Sequence, residues 1–225
     1  MYPRVKKLRN EKINEIAMNF FTKDQAIEFN LENCVGCGTC TKVCPKGAIC
    51  DPNLEGKIRV TTEDLIPDIP NAFKCSYCGT CAYMCPFSAI TLKKDGKGVE
   101  LDNLDIVVKK VVPKLDYKIV NCEKIQRKAK VYVEGNITVD WNKCISCMSC
   151  AEVCPTGAFY KSDKERVNDQ GKKLKTDLDP SKCISCGTCV NACSKSAIKL
   201  KIDKVNYSGE FKKVFWPDLI QRLKE

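Results

Sequence analysis

The sequence predicts an α+β fold of two tandem modules, each with short β-hairpins and short helices, and with a helical segment at either end of the chain. Four copies of one cysteine spacing, CxxCxxCxxxC, divide the 225 residues. The interval between the second and third copies, residues 86–143, is about twice as long as the intervals 45–74 and 155–182, which favours pairing adjacent copies. A nested arrangement, with the second and third copies inserted between the first and fourth, would have to bridge that longest interval.

The segment ahead of the first copy, residues 1–26, is predicted to be an N-terminal helical extension with Asn10 as its N-cap. Its apolar residues recur at the spacing of one helix face: Ile13, Ile16, Ala17, Phe20 and Phe21. That face would pack either on the adjoining module or on a partner protein.

The first module is placed at residues 27–110. It is expected to open with a short strand, because residues 27–29 alternate apolar and polar side chains. The polar segment 51–62 predicts a loop or one short helix. Residues 64–72, which include two prolines, predict a turn of helix that is interrupted early.

The second module, with a C-terminal helical tail, is placed at residues 111–225. Residues 107–112, followed by Pro113, predict a strand and a stop between the modules instead of a loose tether. Residues 137–139 predict a strand, and the apolar residues on both sides of residues 134–136 predict a hairpin there.

The polar segment 162–179 is expected to form a loop or one short helix, like its counterpart in the first module. The tail is expected to be helical from Pro217, and it would pack on the second module or dock on a partner. Its apolar residues are Phe211, Phe215, Trp216, Leu219, Ile220 and Leu223.

Sixteen of the eighteen cysteines belong to the four runs. The last cysteine is followed by proline in the first three runs and by Ser194 in the fourth. Cys50 and Cys122 lie outside the runs. Cys50 is expected to be a small apolar residue at the start of a strand, and Cys122 is expected to be a buried or free thiol. The runs are Cys34/Cys37/Cys40/Cys44, Cys75/Cys78/Cys81/Cys85, Cys144/Cys147/Cys150/Cys154 and Cys183/Cys186/Cys189/Cys193.

The CxxCxxCxxxCP run resembles that of bacterial-type ferredoxins with two [4Fe–4S] clusters, so the chain resembles two such ferredoxins in tandem, a polyferredoxin. In that family the fourth cysteine of one run serves the cluster of the other run. The resemblance therefore implies four [4Fe–4S] clusters, whose iron is held by Cys34, Cys37, Cys40 and Cys85 (cluster 1), Cys75, Cys78, Cys81 and Cys44 (cluster 2), Cys144, Cys147, Cys150 and Cys193 (cluster 3), and Cys183, Cys186, Cys189 and Cys154 (cluster 4).

Other uses of the cysteines fit the spacing less well. Structural zinc sites usually draw two CxxC pairs from separate segments, without a third cysteine at i+6. A disulfide scaffold suits a secreted chain, but the charged start of the sequence is not followed by the apolar core of a signal peptide. The CxxxCxxC spacing of radical enzymes that use S-adenosylmethionine does not occur.

The composition argues against substrate chemistry on this chain. There is no histidine, which excludes a Rieske centre, a HExxH zinc site and every catalytic pair that needs histidine. No phosphate-binding loop or dinucleotide fingerprint is present. The formal net charge of +10 would fall to about +2 with four oxidised clusters, each of about −2 with its thiolates, so the basic residues do not by themselves indicate nucleic-acid binding.

The resemblance implies an electron carrier without its own substrate site, which relays low-potential electrons to or from a redox partner in a multisubunit oxidoreductase complex. No apolar stretch could span a membrane, and thiolate clusters favour the cytoplasm of an anaerobe. The segment KVNYSGEF and the following FWP are similar to those of methanogen polyferredoxins, which implies formylmethanofuran dehydrogenase as partner. The alternatives are a hydrogenase, a heterodisulfide reductase complex, or an iron–sulfur redox sensor.

Overall fold

The computed structural model describes residues 3–100, 112–208 and 218–224. The predicted strand at 107–112 lies almost wholly outside these residues, as do Phe211, Phe215, Trp216 and Pro217 of the tail. Within them, small antiparallel sheets and short helices alternate, in agreement with the predicted α+β class. No helix in the described ranges has the length and apolar character needed to cross a membrane.

The first module is built on one antiparallel sheet of five strands in the order β1-β2-β3-β4-β5. The central strands align their apolar residues, with Ile16 opposite Ile27 and Ile27 opposite Leu92. All three side chains are buried, so the sheet forms the floor of the module core. The strands are β1 (Arg4–Arg9), β2 (Ile13–Asn19), β3 (Asp24–Asn30), β4 (Ile90–Lys94) and β5 (Lys97–Gly98).

The predicted N-terminal helix is wrong, because residues 13–19 form strand β2. Burial along β2 alternates with period two, and Asn14, Ile16 and Met18 are buried on one face. Asn10 ends no helix; its side-chain oxygen accepts hydrogen bonds from the backbone N–H groups of Lys12 and Ile13, both at 2.9 Å, in the turn before β2. The apolar face of this segment therefore packs on its own module.

A charged triad crosses the exposed face of the same sheet. Lys93 Nζ on β4 lies 2.8 Å from Glu15 Oε2 on β2 and 2.6 Å from Glu28 Oε2 on β3. Hydrogen bonds to Glu15 and then to Glu28 raise the pKa of the lysine. One cation thus links three neighbouring strands and separates two carboxylates that would otherwise repel each other.

Between the first two cysteine runs the chain has little regular structure. A 3₁₀ turn at Glu63–Leu65 is followed by Ile66 and Pro67, which confirms the interrupted helix turn predicted for residues 64–72. A second 3₁₀ turn, Ala72–Lys74, leads into the second run. Residues 51–62 form a loop, which is one of the two predicted alternatives. Among the described residues of this module, two helices, α1 (Thr39–Val43) and α2 (Thr80–Met84), each begin inside a cysteine run.

The junction between the modules is ordered where it is described. A two-residue strand, β6 (Lys114–Leu115), is followed by the hairpin of β7 (Lys118–Cys122) and β8 (Arg127–Val131). Cys122 and Ala129 on this hairpin are buried and pack with Val35 and Phe87 of the first module. The junction hairpin is therefore held against the first module through Cys122 and Ala129.

The second module repeats the plan with separate two-stranded sheets. β9 (Val133–Val139) pairs with β12 (Ile198–Val205), and β10 (Phe159–Val167) pairs with β11 (Lys173–Leu178). The helices α3 (Ser149–Val153) and α4 (Thr188–Asn191) again begin inside the cysteine runs. A short strand β13 (Tyr207–Ser208) pairs with β6, and α5 (Leu219–Lys224) follows.

Two predictions for this module are wrong. Residues 134–136 are not a turn but the middle of β9, where a Cβ on Gly135 would lie 2.3 Å from the carbonyl oxygen of Lys201 on β12. The glycine thus allows a close strand approach near a bulge in β12. Residues 162–179 are not a loop but most of the β10–β11 hairpin, whose turn is closed by Asn168 accepting from the N–H of Lys172 at 2.8 Å.

The C-terminal helix α5 packs on the rest of the chain through Leu219 and Leu223, which are buried together with Val43 of α1 and Tyr132. Arg222 NH1 donates to the carbonyl oxygen of Cys44 at 3.1 Å. The described part of the tail thus covers the end of α1, in the first module, as well as β12.

Candidate metal centres

Each cysteine run starts from the same turn. Four residues before the first cysteine stands an Asn or Asp whose side chain accepts a backbone N–H two or three residues later, at 2.9–3.1 Å: Asn30, Asn71, Asp140 and Asp179. This position was missed in the sequence, although aligning the four repeats would have revealed it. The turn aims the following loop at the module interior, so that the cysteines face inward.

The sixteen cysteines gather into four groups whose members act on one another electrostatically. In every group, three cysteines of one run are joined by the last cysteine of the other run in the same module. The groups are the first quartet (Cys34, Cys37, Cys40, Cys85), the second (Cys75, Cys78, Cys81, Cys44), the third (Cys144, Cys147, Cys150, Cys193) and the fourth (Cys183, Cys186, Cys189, Cys154).

Burial dominates the electrostatics of all four quartets. Burial, followed by the charges of two other members, raises the pKa of Cys34 in the first quartet to about 12, against the lowering effect of the Gly36 N–H. The same causes raise the pKa of Cys75 to about 11 and that of Cys150 to about 12. Thiolates gathered in this way repel each other unless positive charge lies between them, as iron would supply.

Hydrogen-bonding groups surround the sulfurs. The residue two after the second cysteine of each run carries a hydroxyl, and its oxygen lies 3.3–3.5 Å from that sulfur: Thr39, Thr80, Ser149 and Thr188. The thiols of Cys37 and Cys147 donate to Thr39 and Ser149, and in the other two pairs either atom can donate. Backbone N–H groups four residues after the last cysteine donate to Cys44 Sγ at 3.2 Å, Cys85 Sγ at 3.3 Å and Cys193 Sγ at 3.3 Å. Donors directed at sulfur stabilise thiolates, so this surrounding fits iron–sulfur ligands.

The quartets of the first module have apolar surroundings. Four of their cysteines belong to a hydrophobic cluster that includes Ile27, Phe29 and Ile90: Cys40, Cys44, Cys81 and Cys85. This apolar shell limits solvent access to the sulfurs.

The first loop depends on a glycine in a left-handed conformation. Gly36 has a φ of +73°, and a Cβ there would lie 2.1 Å from Leu65 Cβ. We expect Gly36→Ala to destabilise the protein by about 2–5 kcal/mol, from backbone strain and displacement of Leu65. Gly47→Ala is the matched control: its φ is +55° with nothing within 4 Å, so only the strain remains. The rates of anaerobic bleaching of the visible absorbance in denaturant are compared for the two variants, and equal rates would contradict the role of Leu65.

The two cysteines outside the runs differ in environment. Cys122 is fully buried, as predicted, between the junction hairpin and the first module, and burial raises its pKa. Cys50 is exposed instead of packed, and its backbone forms a single β-bridge with Asp68, with N···O distances of 2.9 and 3.3 Å. Neither belongs to a quartet.

The contacts that hold the modules together were not visible in the sequence. Tyr132 is buried and donates to the carbonyl oxygen of Met84 at 2.5 Å. The buried N–H of Val60 donates to Ser149 Oγ at 2.9 Å, and Ser194 Oγ donates to the carbonyl oxygen of Ile58 at 3.4 Å. Residues far apart in the chain form these contacts, so no local pattern marks them.

Comparison with known proteins gives two kinds of match. Two family profiles, each described as a 4Fe-4S dicluster domain, match residues 5–48 and 143–206, and residues 33–90 and 74–159. The second profile alone spans more than half of the chain. No curated protein matches.

The fold is similar to that of a chain in a solved assembly, the formate dehydrogenase–heterodisulfide reductase–formylmethanofuran dehydrogenase complex from Methanospirillum hungatei. The TM-score is 0.74 at 23% sequence identity, and the alignment covers 100% of this chain and 91% of that chain. The likeness establishes a shared fold over the whole length.

Proposed function

We propose, on the premise that this chain belongs to the family of 4Fe-4S dicluster domains, that it is a polyferredoxin relaying low-potential electrons through four [4Fe–4S] sites. Ferredoxin-type domains of this kind carry electrons and bind [4Fe–4S] clusters. Four clusters are proposed because the cysteines form four interleaved quartets. When bound, each cluster supplies a one-electron redox couple.

The chain's own residues would do the remaining work. The four quartets would bind the clusters in the combinations given above, each tying two runs of one module together. The hydroxyls beside Cys37, Cys78, Cys147 and Cys186 would stabilise negative charge on sulfur. On this proposal the modules span residues 27–110 and 111–225, and strands β1 and β2 extend the first.

Lysines next to the quartets would offset their charge. Lys74, Lys143 and Lys182 each stand directly before the first cysteine of a run. Lys143 and Lys182 also lie 3.6 and 3.8 Å from Asp140 and Asp179. With four oxidised clusters the net charge of +10 becomes about +2, which leaves the basic residues as counter-charge.

We further propose that the partner is a multisubunit oxidoreductase complex in the cytoplasm, with formylmethanofuran dehydrogenase as the enzyme served. The support is the whole-length fold likeness to a chain of an assembly whose name includes that enzyme. A reducing compartment suits sites built from cysteine thiolates. A relay needs no substrate site of its own, and the work of the fold is to hold the quartets at fixed separations.

The test has two steps. The chain is purified anaerobically and its iron and acid-labile sulfide are measured, with about 16 atoms of each expected per chain. The dithionite-reduced protein, freed of excess dithionite, is then mixed separately with formylmethanofuran dehydrogenase, a hydrogenase and heterodisulfide reductase, each supplied with its own electron-accepting substrate, and its reoxidation is followed at visible wavelengths. Zinc in place of iron would contradict the proposed electron-carrier function. Faster reoxidation by the hydrogenase or by heterodisulfide reductase would contradict only the proposed partner.

A further inference from the structure

A cavity of about 90 Å³ lies between the two modules, and cysteines from both contribute to its wall. Cys37 of the first quartet and Cys186 of the fourth line it together. Lys130 and Tyr132 of the junction line the same cavity. The quartets of different modules that meet here are therefore the first and the fourth.

The backbone around this cavity is closely packed. Asn191, at the end of α4, donates from Nδ2 to the carbonyl oxygen of Gly36 at 2.9 Å. A Cβ placed on Gly187 would lie 3.5 Å from the carbonyl oxygen of Cys37, so the two cysteine loops are in contact distance. The side chains of Cys37 and Cys186 pack into one hydrophobic cluster with buried Val35 and Phe87.

Two other described contacts between the modules lie close to quartets. Val60 and Arg59, which follow the first run, contact Ser149 and Glu152 beside the third quartet, at 2.9 and 2.8 Å. Arg222 of α5 reaches the backbone of Cys44 in the second quartet. Neither contact sets a cysteine of one module against a cysteine of the other.

Packing gives the order within each module. In the first module, Cys40 of the first quartet and Cys81 of the second belong to one hydrophobic cluster. In the second module, Cys150 of the third quartet and Cys189 of the fourth belong to another. The second quartet thus adjoins the first, and the third adjoins the fourth.

We infer that electrons cross between the modules where Cys37 faces Cys186, so that the four sites are used in the order second, first, fourth, third. This inference rests on the proposed function. In each transfer one site is oxidised and its neighbour reduced by a single electron, with no bond made or broken. The second and third sites are then the two ends, where outside redox partners exchange electrons.

The order can be tested with three charge-matched variants of the complete, iron-loaded protein. Lys74→Gln, beside the second quartet, and Lys143→Gln, beside the third, each remove one cation at a proposed end. Lys130→Gln removes one cation from the cavity between the first and fourth. An anaerobic redox titration followed by EPR resolves four one-electron steps in each, once iron analysis has shown that the clusters are present.

We expect Lys74→Gln and Lys143→Gln each to lower the potential of one step, and thereby to mark the two ends. Lys130→Gln should lower the two steps that neither marker moves. The order is overturned if Lys130→Gln shifts a step that Lys74→Gln or Lys143→Gln also shifts. It is likewise overturned if Lys130→Gln shifts only one step. Protein without iron instead overturns the proposed function.

A second variant keeps the test decisive should Lys130→Gln fail to fold. Asn191 is exposed at the edge of the same gap, so Asn191→Asp would add a negative charge there. The same two unmarked steps should again move to lower potential. Movement of a marked step by this variant would equally overturn the order.

Discussion

The double variant Cys44→Ala/Cys75→Ala is expected to bind about 12 iron atoms per chain, a loss of a quarter relative to the unaltered protein. Cys44 comes from the first run and Cys75 from the second, yet both belong to the second quartet. Removing two ligands from one site abolishes that cluster and leaves the others with four thiolates each. Iron and sulfide analysis of anaerobically purified protein measures the loss.

Cys40→Ala/Cys44→Ala is the matched control, because it also removes two cysteines but from neighbouring positions of one run. The interleaved quartets place Cys40 in the first site and Cys44 in the second, so this variant should retain only about 8 iron atoms. If each run instead held its own cluster, the two values would be exchanged. Equal iron contents would also contradict the interleaving. Cys50→Ala, outside the quartets, should keep the full complement.

The cysteine loops were predictable because their structure is local. Four cysteines at fixed spacing, with glycine inside three of the four runs, specify a loop and a short helix almost independently of the rest of the chain. The strands at residues 27–29 and 137–139 were predicted correctly for the same reason, since each lies directly before a run and alternates over a few residues. Local patterns thus located the cysteine loops and their flanking strands.

The N-terminal strand was missed because its apolar residues satisfy two periods at once. Ile13, Ile16 and Ala17 fit one face of a helix, but Ile16 and Met18 also fit one face of a strand. The segment forms a strand because it pairs with β3, which buries Ile16 against Ile27. A segment this short cannot be assigned from periodicity alone. The β10–β11 hairpin was missed likewise, because its charged residues hide the buried pair Leu174 and Thr176.

The family resemblance implied that the two runs of a module exchange their last cysteines. The repeats did not predict which residues form the contacts between the two modules. Asn191 occupies a position that is Lys42, Tyr83 and Glu152 in the other three runs, so the repeats differ where the interface needs them to differ. Its hydrogen bond to Gly36 joins residues 155 positions apart. Such contacts depend on the folded arrangement of both modules, and single-run patterns carry no trace of them.

Tyr132 occupies the centre of that arrangement. The side chain is 2% exposed and lies between the junction hairpin and β9. It packs with Val43 and Met84 of the first module and with Leu219 of the C-terminal helix. Burial first, and then the negative charges of three first-quartet sulfurs, raise the pKa of its hydroxyl, which stays protonated and donates to the carbonyl oxygen of Met84.

Tyr132→Ala is therefore expected to destabilise the protein by about 3–5 kcal/mol, because it leaves a cavity between the modules. Tyr132→Phe keeps the ring but leaves the buried Met84 carbonyl without this donor, at a cost of about 1–3 kcal/mol. Tyr160→Ala, at a tyrosine that is 43% exposed, should change stability by less than about 0.5 kcal/mol. Cluster loss makes unfolding irreversible, so the rates of anaerobic bleaching in denaturant are compared. Similar rates for Tyr132→Ala and Tyr160→Ala would show that the module interface does not depend on this side chain.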